Sequence, residues 1–418
     1  MQKKLFWAFF SEVIINSYIW NMILEQEKLD VKSKKRSNLF NWRGQFTPEF
    51  VEYILKTFSK NDYHVFDPFA GSGTVLQECA RLGLKADGYE INPSAYAMSK
   101  FFVFCNLSRL QRSEFCDNFE SRLTLQLLKL KGQNVYIDKP DYREAYQNLL
   151  VFAENFNHLI KSKQERIFFM NILFKSEKDK KLTVSESIFK SFQYVKNGLL
   201  DLPYSDAKIN IQLMDARSSG EKLPNSIDLI LTSPPYINVF NYHQNYRAII
   251  ESFHFDILKV AHSEFGSNRK NRGNRFKTVI QYCLDMELAI RSFWKTLKPN
   301  AKMILVVGRE SNVRGIPFYN GQLVIEIIEN TNGFSQIEIS ERQFTNKFGI
   351  NIKEDIIIAA KADNIGTSSN GRTIAISHLE RCLMNSQNGI NEDLCDAILN
   401  SEIIVESPIF DPNSIMKK

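Results

Sequence analysis

The order of apolar and polar positions predicts an alternation of strands and helices along much of the chain. Residues 63–102, "YHVFDPFAGSGTVLQECARLGLKADGYEINPSAYAMSKFF", read as strand, glycine turn, helix, strand and helix. Short apolar runs at 209–216 and 226–233 predict two more strands, and "LKPNAKMILVVGRE", "SQIEISERQF" and "EDIIIAAKA" predict later ones. We therefore predict an α/β fold with a mostly parallel, twisted, doubly wound sheet and helices on both faces.

Other stretches lack the strand pattern. Residues 6–14 have apolar positions at helical spacing, and "FTPEFVEYILKTF" predicts a helix with Thr47 as its N-cap and Pro48 as its first residue. Residues 105–205 are rich in Leu, Phe, Lys and Gln with few turn formers, which predicts a helical insertion. The parts we expect are an N-terminal helix and basic linker (1–42), a discontinuous sheet domain (43–104 and 206–362), the insertion as a candidate target-recognition region (105–205), and a C-terminal extension (363–418).

Composition narrows the class of protein only slightly. The 418 residues carry 53 Lys and Arg against 47 Asp and Glu, and this net charge of +6 suits a polyanionic partner without requiring one. The six cysteines are scattered without paired spacing, so we expect neither a metal site nor a disulfide framework, and we expect a cytoplasmic protein. Glu12 and Asn16 interrupt the N-terminal apolar stretch, and no segment reaches the roughly 20 apolar residues of a membrane span, so no membrane association is expected.

The first predicted strand ends in a candidate ligand site. In "VFDPFAGSGTVL", Asp67 ends the strand, Gly71 and Gly73 permit a tight turn, and a helix begins near Thr74. The spacing lacks the third glycine of a dinucleotide fingerprint and the lysine of a phosphate loop. Glu90 ends the next strand, where an open parallel sheet places an acceptor for ribose hydroxyls. Taken singly, Glu90 fits a solvated carboxylate equally well.

A second candidate site follows the strand at 226–233. In "DLILTSPPYINVFNYH", residues 228–243, Pro234 and Pro235 cannot continue a hydrogen-bond ladder, so the strand must end there. These prolines by themselves are consistent with simple strand punctuation. Tyr236 by itself is consistent with core packing, and Asp215 in "MDA" with an acid in a turn.

Taken together and in this order, "DPFAGSGT", "GYEINP", "MDA" and "TSPPY" resemble the S-adenosylmethionine-dependent amino-methyltransferases of DNA. "FAGSG" is similar to that family's cofactor motif and "TSPPY" to its catalytic motif, and "RGQFTPEFV" resembles the upstream segment that closes over the cofactor. The matching pieces, about 43–100, 209–240 and 295–310, cover under half of the chain. The resemblance implies a Rossmann-like class I methyltransferase fold and S-adenosylmethionine as cofactor.

The resemblance also implies a role for individual residues. Asp67 would face the cofactor's ammonium, Glu90 its ribose, Asp215 its adenine amino group, and Thr47 its carboxylate. The loop around the methionine end would comprise Phe69, Gly71, Gly73 and Thr74. The target-base site would comprise Ser233, Pro234, Pro235 and Tyr236.

The chemistry of amino methylation is compatible with these residue types. An exocyclic amino group is a poor nucleophile because its lone pair is delocalised into the base. A hydroxyl at Ser233 and the carbonyl of Pro234 are placed to accept both amino protons, so that the lone pair is aimed at the methyl group by positioning and fixed dipoles. The rigid prolines would hold that carbonyl, and Tyr236 would stack on a base flipped out of double-stranded DNA.

The target and the partners are predicted less directly. In the resembled family, Ser at position 233 is associated with cytosine N4, whereas Asp or Asn is more typical of adenine N6, and N6 stays an alternative. RNA amino methylation and a non-catalytic nucleic-acid-binding subunit are further alternatives. A host-defence context implies a cognate restriction nuclease that acts separately. The segment 266–277, "GSNRKNRGNRFK", predicts phosphate contacts or a solvated surface loop through Arg269, Lys270, Arg272, Arg275 and Lys277.

Overall fold

The computed structural model of the protein describes residues 24–32, 34–130, 142–177, 182–237, 241–266, 271, 273–345, 349–384 and 390–416. The helix predicted at 6–14 lies outside these residues. The strands are β1 (His64–Asp67), β2 (Lys85–Glu90), β3 (Ile209–Leu213), β4 (Ile227–Thr232), β5 (Leu297–Gly308), β6 (Glu310–Val313), β7 (Ile316–Tyr319), β8 (Phe334–Thr345) and β9 (Asn351–Lys361).

The α-helices of the described residues are α1 (Gln26–Asp30), α2 (Pro48–Phe58), α3 (Thr74–Leu82), α4 (Pro93–Lys100), α5 (Arg109–Lys129), α6 (Tyr142–Asn157), α7 (Lys163–Ser176), α8 (Val184–Leu200), α9 (Ser219–Lys222), α10 (Arg247–Ser252), α11 (Ile257–Ser263), α12 (Lys277–Thr296), α13 (Asn320–Asn330), α14 (Gly371–Met384) and α15 (Asn391–Leu399). The prediction that a helix begins at Pro48 with Thr47 as N-cap is confirmed.

Seven strands form one sheet in the order β3-β2-β1-β4-β5-β9-β8, and β6 and β7 form a separate hairpin. β1 to β5 are parallel where they pair, and β9 runs antiparallel to both of its neighbours. The prediction of a mostly parallel sheet is confirmed. β1 is buried along its whole length, as expected for an apolar strand covered on both faces.

Helices cover both faces of the sheet, and alternate residues of β4 show this directly. Leu229 and Leu231 belong to one hydrophobic cluster, whereas Ile230 belongs to the other. This separation follows from the two-residue period of a strand. The first cluster includes residues of α2, α3 and α4, and the second includes residues of α12, α13 and α14.

The described residues of the predicted insertion form the four α-helices α5 to α8, which share a core of phenylalanine rings. The ring of Phe119 contacts the rings of Phe156, Phe168 and Phe192 at centroid distances of 5.4, 5.1 and 6.2 Å. Phe168 in turn stacks on Phe101, directly after α4, at 6.4 Å. The insertion therefore shares one hydrophobic cluster with the sheet domain, and the predicted domain boundaries stay predictions.

A buried ion network ties the C-terminal segment to the end of β3. The Arg217 guanidinium donates to Asp215 Oδ2 at 2.7 Å and to Asp285 Oδ1 at 2.8 Å. It also donates to the carbonyls of Ser407 and Pro408 at 2.7 and 2.9 Å. Because the side chains of Arg217, Asp215 and Asp285 are at most 1 % exposed, this arginine is a buried structural cross-link between distant parts of the chain.

None of the helices that the structure describes has the length and apolarity needed to span a bilayer.

We expect Arg217→Ala to destabilise the protein strongly, because it leaves Asp215 and Asp285 buried without their counter-charge. Breaking a buried pair from one side costs roughly 3–5 kcal/mol. Urea unfolding measures this loss, and Lys28→Ala, which removes an exposed pair with Glu25, is the control expected to change little. Equal midpoints for Arg217→Ala and the unmodified protein would contradict the structural role of the network.

Candidate functional site

The predicted site residues converge on one cavity at the carboxyl ends of β1, β2 and β4. The cavity contains about 960 Å³ of empty space including its open mouth. Parallel strands bring their carboxyl ends to the same edge of a sheet, which explains why residues distant in sequence meet there. The predicted residues that line it are Asp67, Phe69, Gly71, Thr74, Glu90, Asp215, Ser233, Pro235 and Tyr236.

Asp67 is 3 % exposed and presents one oxygen without a protein partner. Its Oδ1 accepts hydrogen bonds from Thr232 Oγ1 at 2.6 Å and from the Phe69 N–H at 3.2 Å. No residue that the structure describes donates to Oδ2. Burial raises the pKa of Asp67 to about 7. A buried carboxylate with a spare oxygen is suited to a cationic ligand group.

Glu90 is held by two backbone donors and keeps acceptor capacity on both oxygens. Oε1 accepts from the Asn92 N–H at 2.8 Å, and Oε2 from the Gly71 N–H at 2.9 Å. The pKa of Glu90 is raised to about 7, mainly by burial and in smaller part by the nearby charges of Asp67 and Glu264. Since a carboxylate accepts about four hydrogen bonds, two positions remain for hydroxyl groups of a ligand.

The two glycines of the turn have different surroundings. Gly71 has a φ of +51°, and a Cβ there would lie 3.3 Å from Cδ1 of Trp42, which covers the loop. Gly73 has a φ of +87°, and a Cβ there would lie 2.8 Å from Cα of Ser99. Gly73 thus permits close packing of α3 against α4, and its predicted contact with the cofactor stays a prediction.

Thr47 and Asp215 differ in whether their side-chain oxygens already have hydrogen-bond partners among the described residues. The Thr47 hydroxyl is buried without a hydrogen-bond partner, but it lies in the wall of a neighbouring cavity. The Asp215 carboxylate lines the main cavity, yet Oδ1 accepts from the main-chain N–H and Nε of Arg217. Oδ2 accepts from the Arg217 guanidinium and from the Phe410 N–H, so the acceptor positions of Asp215 are filled by the protein.

The catalytic motif lies where β4 ends at Thr232, as predicted. The Tyr236 ring packs against Gly308 at the end of β5, where an added Cβ would come within 2.9 Å of the ring. Ser233 Oγ lies 3.1 Å from the Tyr236 hydroxyl, and that hydroxyl donates to Glu354 Oε1 at 3.4 Å. Burial raises the pKa of both Tyr236 and Glu354. Ser233 is thus the first member of a chain of polar groups that leads away from the cavity.

Several residues that line the cavity were not predicted. They come from the segment before α2, residues 42–46, and from the connection between β4 and α12, residues 242–265. Trp42 stacks on Tyr242 with ring centroids 5.9 Å apart, and Gln45 Oε1 accepts from Ser72 Oγ at 2.8 Å. Glu264 and Phe265 complete the wall. The similarity of "RGQFTPEFV" to the upstream family segment was the signal for the first connection. No sequence pattern pointed to Glu264.

The predicted basic segment lies only partly within the described residues. Arg269, Lys270 and Arg272 are outside them. Arg275 is exposed and forms no ion pair with any residue that the structure describes, whereas Lys277 pairs with Asp396 at 2.8 Å. The segment starts beside the catalytic motif, since a Cβ on Gly266 would lie 3.1 Å from the Tyr236 carbonyl oxygen. Its contact with phosphates stays a prediction.

The fold and the cavity together define the class of protein. Parallel strands, one reversed strand between β5 and β8, and a carboxylate-lined cavity at the strand ends are typical of the Rossmann-like class I methyltransferase fold. Within the described residues, no group of three or more His, Cys, Asp or Glu side chains is arranged to hold a metal ion.

Comparison with known proteins shows similarity to DNA methyltransferases. The profile of the N6/N4 DNA methylase family matches residues 10–101. Type II methyltransferase M.AvaI of Nostoc sp. is 23 % identical over 397 residues, covering 80 % of each chain. M.BsoBI of Geobacillus stearothermophilus is 22 % identical over 356 residues, covering 66 % of this chain and 69 % of its own. The structure of TrmN from Thermus thermophilus also matches, with 13 % sequence identity and a TM-score of 0.32. This match covers 77 % of this chain and 50 % of the TrmN chain.

The chain is thus similar to S-adenosylmethionine-dependent DNA amino-methyltransferases in its motifs and over most of its length. Its cofactor is S-adenosylmethionine, and the cavity fits this molecule. Asp67 has a free oxygen for the ammonium, and Glu90 has free acceptor positions for the ribose hydroxyls.

Cofactor affinity should rise with pH across the neutral range. Below a pKa of about 7, Asp67 and Glu90 are protonated and cannot act as anionic acceptors, so binding must release protons. We expect the dissociation constant to fall between about pH 6 and pH 8, by up to about tenfold per unit for each proton released, and then to level off. Isothermal titration calorimetry in buffers of different ionisation enthalpy counts these protons.

Asp67→Asn should flatten this pH dependence, because one of the two titrating groups is removed. Asp62→Asn, at an exposed position just before β1, is the matched control and should leave the slope unchanged. An affinity that stays constant from about pH 6 to pH 8 in the unmodified protein would contradict the expected ionisation of these carboxyls.

Proposed function

We propose that this protein is a site-specific DNA methyltransferase that methylates the N4 amino group of cytosine, as part of a restriction-modification or similar defence system in the cytoplasm. The observation that carries the proposal is the uncharged Ser233 directly before Pro234–Pro235–Tyr236, in the cavity that also contains Asp67 and Glu90. The similarity to Type II methyltransferases supports the defence context, in which a cognate nuclease would act separately.

When bound, S-adenosylmethionine supplies a methyl group made electrophilic by its positively charged sulfur. The role of the protein is to orient the target amino group, with Ser233 Oγ and the Pro234 carbonyl as acceptors for its two protons. Pro234 is buried, and the fixed φ of the two prolines restricts where that carbonyl points.

The polar chain behind Ser233 supports its role as an acceptor. Because the Tyr236 hydroxyl donates to Glu354, its oxygen can accept the hydroxyl proton of Ser233. The lone pairs of Ser233 Oγ then remain available to the target amino group. The raised pKa of Glu354 makes its carboxylate a reasonable acceptor for the proton that the amino group loses after methyl transfer.

The DNA contacts that we propose follow from the size of the cavity and from the adjacent basic segment. A base paired inside a duplex cannot reach a site at the bottom of a cavity, so we propose base flipping with Tyr236 as the stacking partner. Arg269, Lys270, Arg272, Arg275 and Lys277 would neutralise phosphates beside it. Lys277 already has Asp396 as a partner, so we expect it to contribute least.

Expression in a methylation-free bacterial host, followed by genomic sequencing that separates N4-methylcytosine from N6-methyladenine, tests the proposal. We expect N4-methylcytosine at one short motif, and none in cells that express Gly71→Asp, whose side chain would clash with Trp42. N6-methyladenine at one motif would support DNA methyltransferase activity but would show that adenine, not cytosine, is the target base. If the genome is unmodified although the soluble protein binds S-adenosylmethionine, the proposal that DNA is the substrate is wrong.

Tyr236→Ala should lower the rate of methyl transfer and leave cofactor affinity nearly unchanged, because the ring serves the flipped base. Stacking on an aromatic ring is worth ~1–3 kcal/mol, which corresponds to about a 5- to 150-fold loss. Tyr236→Phe keeps the ring and removes only the hydroxyl, so its smaller loss measures the link to Glu354. Single-turnover rates and cofactor titrations give the two quantities, and equal losses of both in Tyr236→Ala would contradict the assigned role.

A further inference from the structure

Glu264 is a cavity carboxylate that the roles assigned above do not use. It follows α11 directly, is 7 % exposed and lines the same cavity as Asp67 and Glu90. Its Oε1 is buried and has no hydrogen-bond partner within the part of the chain that the structure describes. An unpartnered buried carboxylate oxygen is costly in an empty site, which suggests that a ligand donor satisfies it.

The other oxygen of Glu264 is fixed by a histidine. His243 Nδ1 lies 2.8 Å from Oε2, and His243 is itself 4 % exposed. Because the carboxylate accepts this hydrogen bond, Nδ1 carries the proton. The pair holds Glu264 in one orientation, so that Oε1 is the oxygen left for a ligand.

Glu264 lines the same cavity as Asp215, and Phe265, the next residue in sequence, lies close to the Arg217–Asp215 pair. The ring of Phe265 lies under the Arg217 guanidinium at 4.9 Å, and that guanidinium is bonded to Asp215. Phe265 also packs edge-on against Phe69 at 5.3 Å. Glu90 lines the same cavity, and the charge of Glu264 contributes to its raised pKa.

The family resemblance would give the adenine amino group to Asp215, but the Asp215 oxygens already accept four hydrogen bonds from protein donors. An additional donor would therefore have to break the buried network of Arg217. Asp67 and Glu90 are suited to the ammonium and the ribose. Glu264 is the remaining lining carboxylate, among the described residues, with a free oxygen.

We infer that Glu264 Oε1 accepts a hydrogen bond from the exocyclic amino group of the cofactor's adenine, with His243 as its positioning residue. The ligand class is a 6-aminopurine nucleoside, and a purine with oxygen at that position would place two acceptors against each other. This inference rests on the cofactor and is independent of the target base.

Binding of S-adenosylhomocysteine and S-inosylhomocysteine, measured by calorimetry without DNA, tests the inference. Hydrogen bonds to charged groups lead us to expect a preference of about 10- to 100-fold for the adenosyl compound in the unmodified protein. Glu264→Gln should reduce this ratio to about one or below, because a carboxamide can donate to the inosine oxygen. Glu221→Gln, at an exposed position on α9, is the matched control and should keep the full ratio.

His243→Ala should lower the preference in part, since Glu264 loses its anchor but keeps its charge. An unchanged preference for the adenosyl compound in Glu264→Gln would overturn the inference. So would loss of this preference in Asp215→Asn while Glu264→Gln keeps it. Normal binding of both compounds by Glu264→Gln together with loss of DNA methylation would assign Glu264 to the target base and would also overturn it. Because binding is measured without DNA, failure of the proposed DNA function would leave this test intact.

Discussion

The hydrogen bond from Thr232 to Asp67 joins the ends of two neighbouring parallel strands, and the arrangement of the site depends on it. At 2.6 Å, it links Asp67, the last residue of β1, to Thr232, the last residue of β4 and the first of the TSPPY motif. β1 and β4 are adjacent because the strand order places β1 between β2 and β4. The sites that we propose for the methyl donor and the methyl acceptor therefore lie at the ends of adjacent strands, which are joined by this hydrogen bond.

The site contains more buried negative charge than the protein neutralises. Asp215 is compensated by Arg217, but Asp67, Glu90 and Glu264 have no arginine or lysine partner within the described residues. In the empty cavity this arrangement is unfavourable, as the raised pKa values of Asp67 and Glu90 indicate. A ligand with a positive sulfur and an ammonium group removes part of this cost, so the same carboxylates that destabilise the empty site favour the cofactor.

The sheet and the connections contribute different parts of the cavity. The strand ends supply Asp67, Glu90 and Ser233, to which we assign cofactor binding and orientation of the target amino group. The connections around Trp42 and Glu264 supply further parts of the cavity wall. Loops that extend from a rigid sheet commonly carry such groups, because they can vary while the strand ends stay in place.

The sequence by itself determined the order of strands and helices, the two motifs and nine residues that line the cavity, because apolar periodicity and turn residues act locally. Only the tertiary structure decided which carboxylate oxygens are free to accept hydrogen bonds from a ligand. Both oxygens of Asp215 already accept from Arg217 and Phe410, which lie 2 and 195 positions away. Gly73 packs against Ser99. Glu264 entered the cavity through a long connection without a local pattern. Hydrogen-bond partners and burial depend on contacts between distant segments, which a one-dimensional pattern of residues does not contain.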